Sequence, residues 1–348
     1  MESSVFSAKL RAWYQDARRD LPWRGVSDPF RIWISEVILQ QTRVDQGLAY
    51  YHRFTDAFPD VASLAAASEE EVLRLWQGLG YYSRGRNLLK AARQVQDQFG
   101  GEFPADYQML KQLAGVGDYT AAAIASFAFG LPHAVVDGNV YRVLSRFAGL
   151  DLPIDSGEGK KVFSEMANAL LDPDHAAEHN QAMMELGAVV CKPRQPDCAA
   201  CPLSGSCAAL AGNRMHELPV KAGRQLVKTV QMTCFFVEDG VSTWIRRREG
   251  KGIWQGLYEF PFFETNGAVD NTSDLMNQFP SLQFETRSVR RGVRHLLSHR
   301  ELLVDFVHLH TAQPLSVLSG YSIVPLDSLN QFAMPRLLTR YLEDEQFG

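Results

Sequence analysis

Four cysteines within seventeen residues restrict the fold of this chain more than any other feature of its sequence. They follow the spacing C-x6-C-x2-C-x5-C, at Cys191, Cys198, Cys201 and Cys207. Cysteines this close together seldom serve packing alone, so metal ligation is the favoured interpretation. Structural zinc prefers two C-x2-C pairs and this segment has one, so four thiolates around a larger [4Fe–4S] cube fit the spacing better. We therefore predict an iron–sulfur loop over 191–207.

Length and composition describe a folded protein with more than one domain. The chain has 348 residues, whereas one domain usually takes ~150. Hydrophobic residues make up 46% and charged residues 22%, which excludes a disordered chain. No apolar run reaches the ~18 residues of a membrane helix, and no leader of basic and then apolar residues opens the sequence. We expect a cytoplasmic protein with no membrane attachment.

The net charge of the chain and its local charge favour different partners. The formal net charge of −5 does not favour nucleic-acid binding by the chain as a whole. Locally, however, residues 286–300 carry five arginines, two histidines and no acid, and residues 246–248 are three arginines in a row. Each segment is equally compatible with a solvated charged face and with phosphate contact.

The pattern of apolar residues predicts a helical part that is followed by a mixed part. Ser68 and Glu71 have the spacing of a capping box at the start of one helix. Apolar residues recur at helical spacing over the segments 30–41, 88–99, 121–129, 140–150, 159–170 and 182–190. Strand-like alternation follows at 227–235, 242–245 and 302–307, with helical patterns at 272–278 and near 328–341. We predict an all-α domain over 1–211, a linker over 212–226 and an α+β domain over 227–348, with Cys234 in its core.

A glycine pair inside the helical part is typical of a backbone that approaches a ligand. Gly115, Val116 and Gly117 separate two helical patterns within residues 111–124. Glycine allows the tight turn, and the amides at the start of the second helix then point at an anion such as phosphate. An ordinary corner between two helices is the alternative.

Two acidic residues stand in settings that would give them different protonation states. Glu36 lies in a strongly apolar helix, where a neighbourhood without water raises a carboxyl pKa and favours a general acid. Asp137 precedes a predicted helix, whose positive end favours the ionised form. One protonated and one charged carboxyl suit the breaking of a glycosidic bond. The alternatives are a solvent-facing Glu36 and an Asp137 that only caps its helix.

Together these features resemble the adenine DNA glycosylase family of base excision repair, within the endonuclease III-like helix–hairpin–helix superfamily. The matching motifs occur in the family's order over nearly the whole chain: Leu21–Arg24, Ser35–Thr42, Gly78–Arg84, Gly115–Thr120, Val136–Val140 and the four cysteines. The resemblance implies a helix–hairpin–helix glycosylase core with a [4Fe–4S] loop. It also implies a monomer that binds double-stranded DNA and hydrolyses the N-glycosidic bond of adenine mispaired with 8-oxoguanine or guanine.

The resemblance also implies roles for individual residues. Glu36 matches the acid that protonates adenine N7, and Asp137 matches the carboxylate that stabilises the oxocarbenium-like sugar. The remaining matches are Tyr119 and Asn139 as supports of the two acids, Arg24 in the base pocket, Gln41 and Tyr81 at the duplex near the lesion, and Gly115, Val116 and Gly117 at the DNA backbone. Tyr119 stands where a bifunctional enzyme has its Schiff-base lysine, so the resemblance implies a monofunctional glycosylase with strand cleavage absent or slight.

The C-terminal part resembles the family's Nudix-like module through the segment 252–261. The acidic signature that binds Mg²⁺ is absent, so we expect recognition of 8-oxoguanine and no pyrophosphatase activity. Ser298 and His299 match the family's lesion-reading loop, although Leu297 replaces an aromatic residue there. Further departures are Ala114, where proline is usual, and Tyr141, where many relatives have lysine.

Two other functions compete with this one. The first is an endonuclease III-like lyase acting on oxidised pyrimidines, against which Tyr119 argues. The second is a non-catalytic, cluster-bearing protein that binds DNA or senses redox state. The presence of both Glu36 and Asp137 argues against that second function.

Overall fold

The chain forms two compact units. The structure, a computed structural model, describes residues 2–40, 42–223, 228–250, 252–265, 283–297 and 300–345. The helical unit comprises residues 1–66 and 87–223, and the sheet unit comprises 67–86 and 224–348. Gln41, Ser298, His299 and the helical pattern at 272–278 lie outside the described residues.

The boundaries between these units differ from the predicted domains in two places. Residues 67–86 group with the C-terminal part of the chain, and residues 212–223 group with the helical unit. The second grouping has a visible cause, because Leu218 is buried and its carbonyl accepts a hydrogen bond from Arg146 Nε at 3.0 Å. The domains 1–211 and 227–348 with a linker over 212–226 stay a prediction.

Among the described residues, the helices that sequence patterns indicated over 30–190 are present, and the pattern at 182–190 ends in a π-helical turn. Ser68 accepts a hydrogen bond from the Glu71 amide, and Glu71 accepts one from the Ser68 amide, which confirms the capping box. None of the described helices is both long and apolar enough to cross a bilayer. The helices are α1 (Ser3–Ala17), α2 (Pro29–Leu39), α3 (Val44–Ala57), α4 (Val61–Ala66), α5 (Glu69–Trp76), α6 (Ser83–Phe99), α7 (Tyr107–Leu110), α8 (Asp118–Phe129), α9 (Gly138–Ala148), α10 (Gly157–Leu170), α11 (Ala176–Glu185), α12 (Ala208–Ala211) and α13 (Arg336–Asp344).

The core of the helical unit fixes α9, the helix that follows Asp137. Leu144 of α9 is fully buried with Phe6 of α1 and Phe163 of α10 in one cluster. Burying a side chain of this size stabilises the fold by about 1.5–3 kcal/mol. A π-helical turn over Leu186–Val190 continues α11 and adds Leu186 to the same cluster. Packing of α9 in this cluster therefore fixes the position of the helix start, next to Asp137.

The sheet unit contains a mixed sheet of seven strands, in the order β3-β2-β1-β6-β5, with β4 paired to β1 and β7 paired to β2. β1 and β6 run parallel, and the other described pairs are antiparallel. The strands are β1 (Lys228–Glu238), β2 (Ser242–Arg247), β3 (Tyr258–Glu259), β4 (Phe262–Thr265), β5 (Glu285–Leu296), β6 (Arg300–His310) and β7 (Ser322–Pro325). The three predicted strands fall in β1, β2 and β6, and Cys234 is buried as expected. The pattern near 328–341 divides into a 3₁₀-helix at Leu326–Gln331 and α13.

The two basic segments, 246–248 and 286–300, lie in different structural environments. In the run 246–248, Arg246 and Arg248 bond the buried Glu259, and Arg247 bonds Glu69. Ion pairs within the sheet unit therefore occupy this run, while its side chains stay partly exposed, so both alternatives stay open. The other segment largely forms the exposed strand β5.

Candidate active site

A cavity of about 220 Å³ in the helical unit brings the predicted catalytic residues together. Glu36, Tyr119, Asp137 and Asn139 all line it, and Arg24 lines it with them. Its apolar walls come from Trp23, Ile32, Leu39, Phe127 and Met184. The volume lies below the ~300 Å³ at which pockets for drug-sized ligands begin, and it suits a group of about the size of one base.

Glu36 is a buried acid that holds its proton near neutral pH. Its exposed fraction is 5%, so the solvent-facing alternative is wrong. Burial raises the pKa of Glu36 to about 7, and the charge of Asp137 adds to this. The Tyr119 hydroxyl, which donates to Glu36 Oε2 at 2.5 Å, and the charge of Arg24 lower that pKa and so limit the rise. A carboxyl with this pKa is suited to proton donation at physiological pH.

Asp137 caps α9 and is hydrogen-bonded on both carboxylate oxygens. Its Oδ1 accepts from the amides of Asn139 (2.9 Å) and Val140 (2.8 Å), and its Oδ2 accepts from Asn139 Nδ2 (2.8 Å). Burial raises the pKa of Asp137 above its usual value, although these bonds lower it. The helix end was expected to favour ionisation, and burial opposes it. Because Asp137 accepts three hydrogen bonds and Glu36 accepts one, Asp137 ionises first and Glu36 keeps the proton.

Asn139 is held in turn by Arg142 of α9. Arg142 Nη2 donates to Asn139 Oδ1 at 2.8 Å, and Arg142 Nε donates to the carbonyl of Cys191 at 2.7 Å. Gly187 packs against Asn139 so closely that a Cβ atom there would lie 2.5 Å from Asn139 Cβ. The amide that supports Asp137 therefore has little freedom to move.

Sequence reasoning missed Glu185, which also lines the cavity. This carboxyl is 0% exposed and bonds both Arg19 and Arg24. A signal was available, because Glu185 follows Met183 and Met184 in an apolar run, as Glu36 does in its own helix. Arg24 therefore reaches the cavity, as predicted, with a partner that the sequence analysis did not name.

The glycine hairpin adopts the backbone that its sequence predicts. Gly115 has a φ of +75°, and a Cβ atom there would lie 2.7 Å from Asn87 Cβ. Val116 is buried and Gly117 caps α8 without a side-chain hydrogen bond. Asp118 then places a carboxylate in the first turn, where Lys111 Nζ contacts it at 2.5 Å. This ion pair offsets an acid that would otherwise repel a phosphate at the helix start.

The four clustered cysteines line one small cavity whose walls include Val190, Pro196, Leu210 and Met215. All are free thiols. Arg146 Nη1 donates to Cys191 Sγ at 3.4 Å, which supplies a positive charge that suits a thiolate. Among the residues that the structure describes, no group of His, Cys, Asp or Glu side chains converges as a site for a single metal ion. Four thiols around a shared apolar cavity fit a [4Fe–4S] cube, in which each thiolate binds a separate iron.

The sheet unit has its own cleft of about 1080 Å³. Tyr81 lines it with 44% of its surface exposed and a φ of +46°, as does the buried Trp254 with a φ of +61°. Arg300 of β6 and Arg340 of α13 also line it, and neither has an acidic partner among the described residues. Leu297 borders the cleft, whereas its neighbours Ser298 and His299 are among the residues that are not described.

Two family models match parts of the chain. The HhH-GPD superfamily of base excision DNA repair proteins matches residues 34–166, and the NUDIX domain matches residues 233–344. The adenine DNA glycosylase of Buchnera aphidicola subsp. Baizongia pistaciae is 30% identical over 309 residues, which are 88% of this chain and 86% of that relative. The chain belongs to the adenine DNA glycosylase family.

Further relatives of this adenine DNA glycosylase family member are mammalian. The human adenine DNA glycosylase is 44% identical over 217 residues, and the match covers 60% of this chain and 40% of the human protein. The mouse enzyme is 43% identical over 230 residues, with 64% of this chain and 45% of the mouse protein covered. The chain thus spans less than half the length of these two relatives.

Solved structures support the fold of the helical part. A thermostable thymine-DNA glycosylase has a TM-score of 0.56 and 29% identity, covering 60% of this chain and 97% of that one. An endonuclease III–DNA complex, with a TM-score of 0.51 and 24% identity over 62% of this chain and 99% of that one, shows the fold alone. The predicted fold class, a helix–hairpin–helix core with a Nudix-like α+β domain, is confirmed apart from the cluster. This member of the adenine DNA glycosylase family is an enzyme that hydrolyses N-glycosyl bonds.

Proposed function

We propose that this chain removes adenine mispaired with 8-oxoguanine or guanine in double-stranded DNA, without cutting the strand. The observation that carries the proposal is the pair Glu36 and Asp137, two carboxyls that line one cavity, of which Glu36 is buried and Asp137 accepts three hydrogen bonds. A base inside a duplex cannot reach such a cavity, so the adenine must leave the stack. The predicted monomeric state and cytoplasmic location stay predictions.

The two carboxyls divide the reaction between them. Glu36 donates its proton to N7 of the adenine, so the base can leave as a neutral molecule. The bond between N9 and the sugar C1′ then breaks, and its electron pair goes to the base. Asp137 stabilises the positive charge on the sugar until water adds at C1′ and gives a proton to one of the two ionised carboxylates, which leaves an abasic site. Tyr119 and Asn139 hold the two carboxyls in place through their hydrogen bonds.

The cavity favours hydrolysis over the lyase alternative. A Schiff base needs an amine within reach of C1′, and none of the described residues that line the cavity is a lysine. Tyr119, at the position of the lyase's lysine, is already bonded to Glu36. We therefore expect borohydride to trap no covalent adduct on cleavable duplexes. An efficient adduct would instead support the lyase.

The sheet unit supports recognition of the opposite strand. Its cleft combines the exposed ring of Tyr81 with Arg300 and Arg340, groups that stack on bases and contact phosphates. No acidic Nudix signature is present in the sequence, so we propose recognition of 8-oxoguanine and no pyrophosphatase activity. Ser298 and His299 are proposed to read the lesion on the strength of the sequence motif alone.

The thiols of Cys191, Cys198, Cys201 and Cys207 are proposed to hold a [4Fe–4S] cluster. When bound, the cluster supplies iron–thiolate bonds that tie residues 191–207 together. We expect the purified protein to absorb broadly near ~400 nm and Cys198→Ser to lose most of that band. Cys234→Ala, in the core of the sheet unit, is the matched control and should keep it. A protein without the band, or a Cys198→Ser variant that keeps it, would contradict the assignment.

The direct test of function is adenine release from duplexes that differ only in the base opposite adenine. We expect single-turnover release from duplexes with 8-oxoguanine or guanine opposite adenine, and none from a normal thymine·adenine pair. Glu36→Gln should slow release strongly while retaining duplex binding, because the amide keeps the volume and removes the proton. A wild-type protein that binds the 8-oxoguanine duplex and leaves it intact would overturn the enzyme proposal in favour of a DNA-binding protein.

A further inference from the structure

One carboxylate in the cavity lies between two arginines and has no place in the proposed chemistry. Glu185 Oε1 accepts from Arg19 Nε at 2.7 Å and from the Arg19 amide at 3.1 Å. Its Oε2 accepts from Arg19 Nη2 at 2.8 Å and from Arg24 Nη2 at 2.5 Å. Arg19 thus binds both oxygens, and Arg24 shares one of them.

The Glu185 carboxylate is buried, so leaving it unpaired would be costly. The Glu185 side chain is 0% exposed, against 14% for Arg24 and 40% for Arg19. Burial by itself raises the pKa of Glu185, but the bonds from Arg19 and Arg24 outweigh it and lower the pKa to about 2. A buried charge that loses one partner costs several kcal/mol, so the three side chains stay in a single arrangement.

The arrangement controls where the Arg24 guanidinium lies. Besides Glu185, it bonds the carbonyl of Arg19 at 3.2 Å and stands over the ring of Tyr14, 5.6 Å from its centre. Glu185 is the one acidic contact that the structure describes for Arg24. Arg24 in turn lines the cavity with Glu36 and lowers the pKa of that acid. Moving Arg24 would therefore alter both the base pocket and the proton donor.

The backbone at Glu185 is itself unusual. Glu185 ends α11, and the π-helical turn Leu186–Val190 follows directly. Such turns shift the phase of the helix and often occur at functional sites. Glu185 bonds Arg24 at the start of this irregular segment, and Gly187, two residues later, packs against Asn139. The residues that support Arg24 and Asn139 therefore lie close together in the chain.

We propose that Glu185 is a positioning residue, which does not touch the adenine but fixes the Arg24 guanidinium in the base cavity and offsets its charge beside Glu36. The proposal rests on the proposed function, since it assumes that the cavity receives a base. In this proposal Arg19, the more exposed of the two arginines, helps to orient Glu185.

The test compares Glu185→Gln with Glu178→Gln on the same helix. Glu178 bonds Arg11 at 3.1 Å and does not line the cavity, so its variant is a matched control. We expect Glu185→Gln to lower kcat/KM for adenine release by ~10–100-fold, mainly through KM, because a misplaced contact weakens base binding. Glu178→Gln should remain within about twofold of wild type.

A second readout does not depend on activity. Removing the Glu185 charge leaves Arg24 uncompensated, so the titration midpoint of Glu36, followed by carboxyl ¹³C NMR, should move to lower pH. Glu178→Gln should not move it. If the wild type releases no adenine yet the midpoint moves, the proposed function fails and the positioning by charge stands. If the wild type is active and Glu185→Gln matches it in both readouts, the positioning proposal is overturned.

A double-mutant cycle separates positioning from general loss of structure. If Glu185 acts through Arg24, Glu185→Gln should cost little in an Arg24→Ala background. Equal costs in both backgrounds would overturn the proposal. Should Glu185→Gln fold poorly by thermal melting, Glu185→Asp keeps the charge and shortens the reach by one methylene. It should then raise KM while leaving the Glu36 midpoint near that of wild type, and an unchanged KM would count against positioning.

Discussion

The cavity of the helical unit and the cleft of the sheet unit hold their charged side chains in different settings. The cavity depends on carboxyls that are almost fully buried, Glu36 and Glu185 at 5% and 0% exposure. The cleft presents arginines and an exposed tyrosine ring, with Arg340 on the surface of α13. Burial raises the pKa of Glu36, and the bonds from Arg19 and Arg24 lower that of Glu185, whereas phosphates are met by cations that remain in water. The difference supports the proposal of chemistry in the first region and of recognition in the second.

The largest effect should come from removing the proton donor of the cavity. Glu36→Gln should lower the single-turnover rate of adenine release by ~10²–10⁴-fold, the usual contribution of a general acid. Duplex affinity should change little, since the variant keeps the shape of the side chain. Glu178→Gln again serves as the control. If Glu36→Gln instead lost duplex affinity and kept the rate of adenine release, the cavity would be a binding site and would no longer differ from the cleft.

The pH dependence of release should sharpen the comparison further. Release needs Glu36 protonated and Asp137 ionised, so the rate rises as Asp137 loses its proton and falls about tenfold per pH unit once pH exceeds the Glu36 pKa of about 7. Tyr119→Phe removes the hydrogen bond that lowers the Glu36 pKa, so the alkaline limb should move to higher pH. A limb that moves to lower pH would show that another group controls it.

The smallest effect should come from the cleft. The double variant Arg300→Ala and Arg340→Ala should weaken duplex binding several-fold and reduce the dependence of log Kd on log salt by about one for each lost phosphate contact. The rate at saturating duplex should be unchanged. Arg290→Ala is the control, because that guanidinium is already paired with Asp344. Equal losses for both variants would indicate a general effect of charge and remove the cleft from the comparison.

The parts of the fold that could be predicted are those that depend on neighbours in sequence. Helical periodicity located α2, α8 and α9, and the capping box located the start of α5, because these patterns act within one or two turns. Strand alternation located β1 and β6 but could not show that they run parallel to each other. That pairing depends on contacts across some seventy residues, for example Cys234 with Phe306.

The candidate site divides in the same way. Glu36 and Asp137 carried local signals, an apolar setting and a helix cap. The partner of Arg24 did not, since Glu185 lies far along the chain and only the folded structure joins them. The run 246–248 was ambiguous because Glu69, the partner of Arg247, lies far from it in sequence. Long-range ion pairs are therefore what sequence patterns leave undetermined here.

The close packing at Gly187 has a consequence for how this enzyme is able to change over evolution. A hydrogen atom is all that position 187 accommodates beside Asn139. Substitution there offers no gradual path for adjusting the support of Asp137, because even the smallest side chain would displace it. We therefore expect residue 187 to be among the positions least tolerant of exchange in a saturation library selected for adenine release.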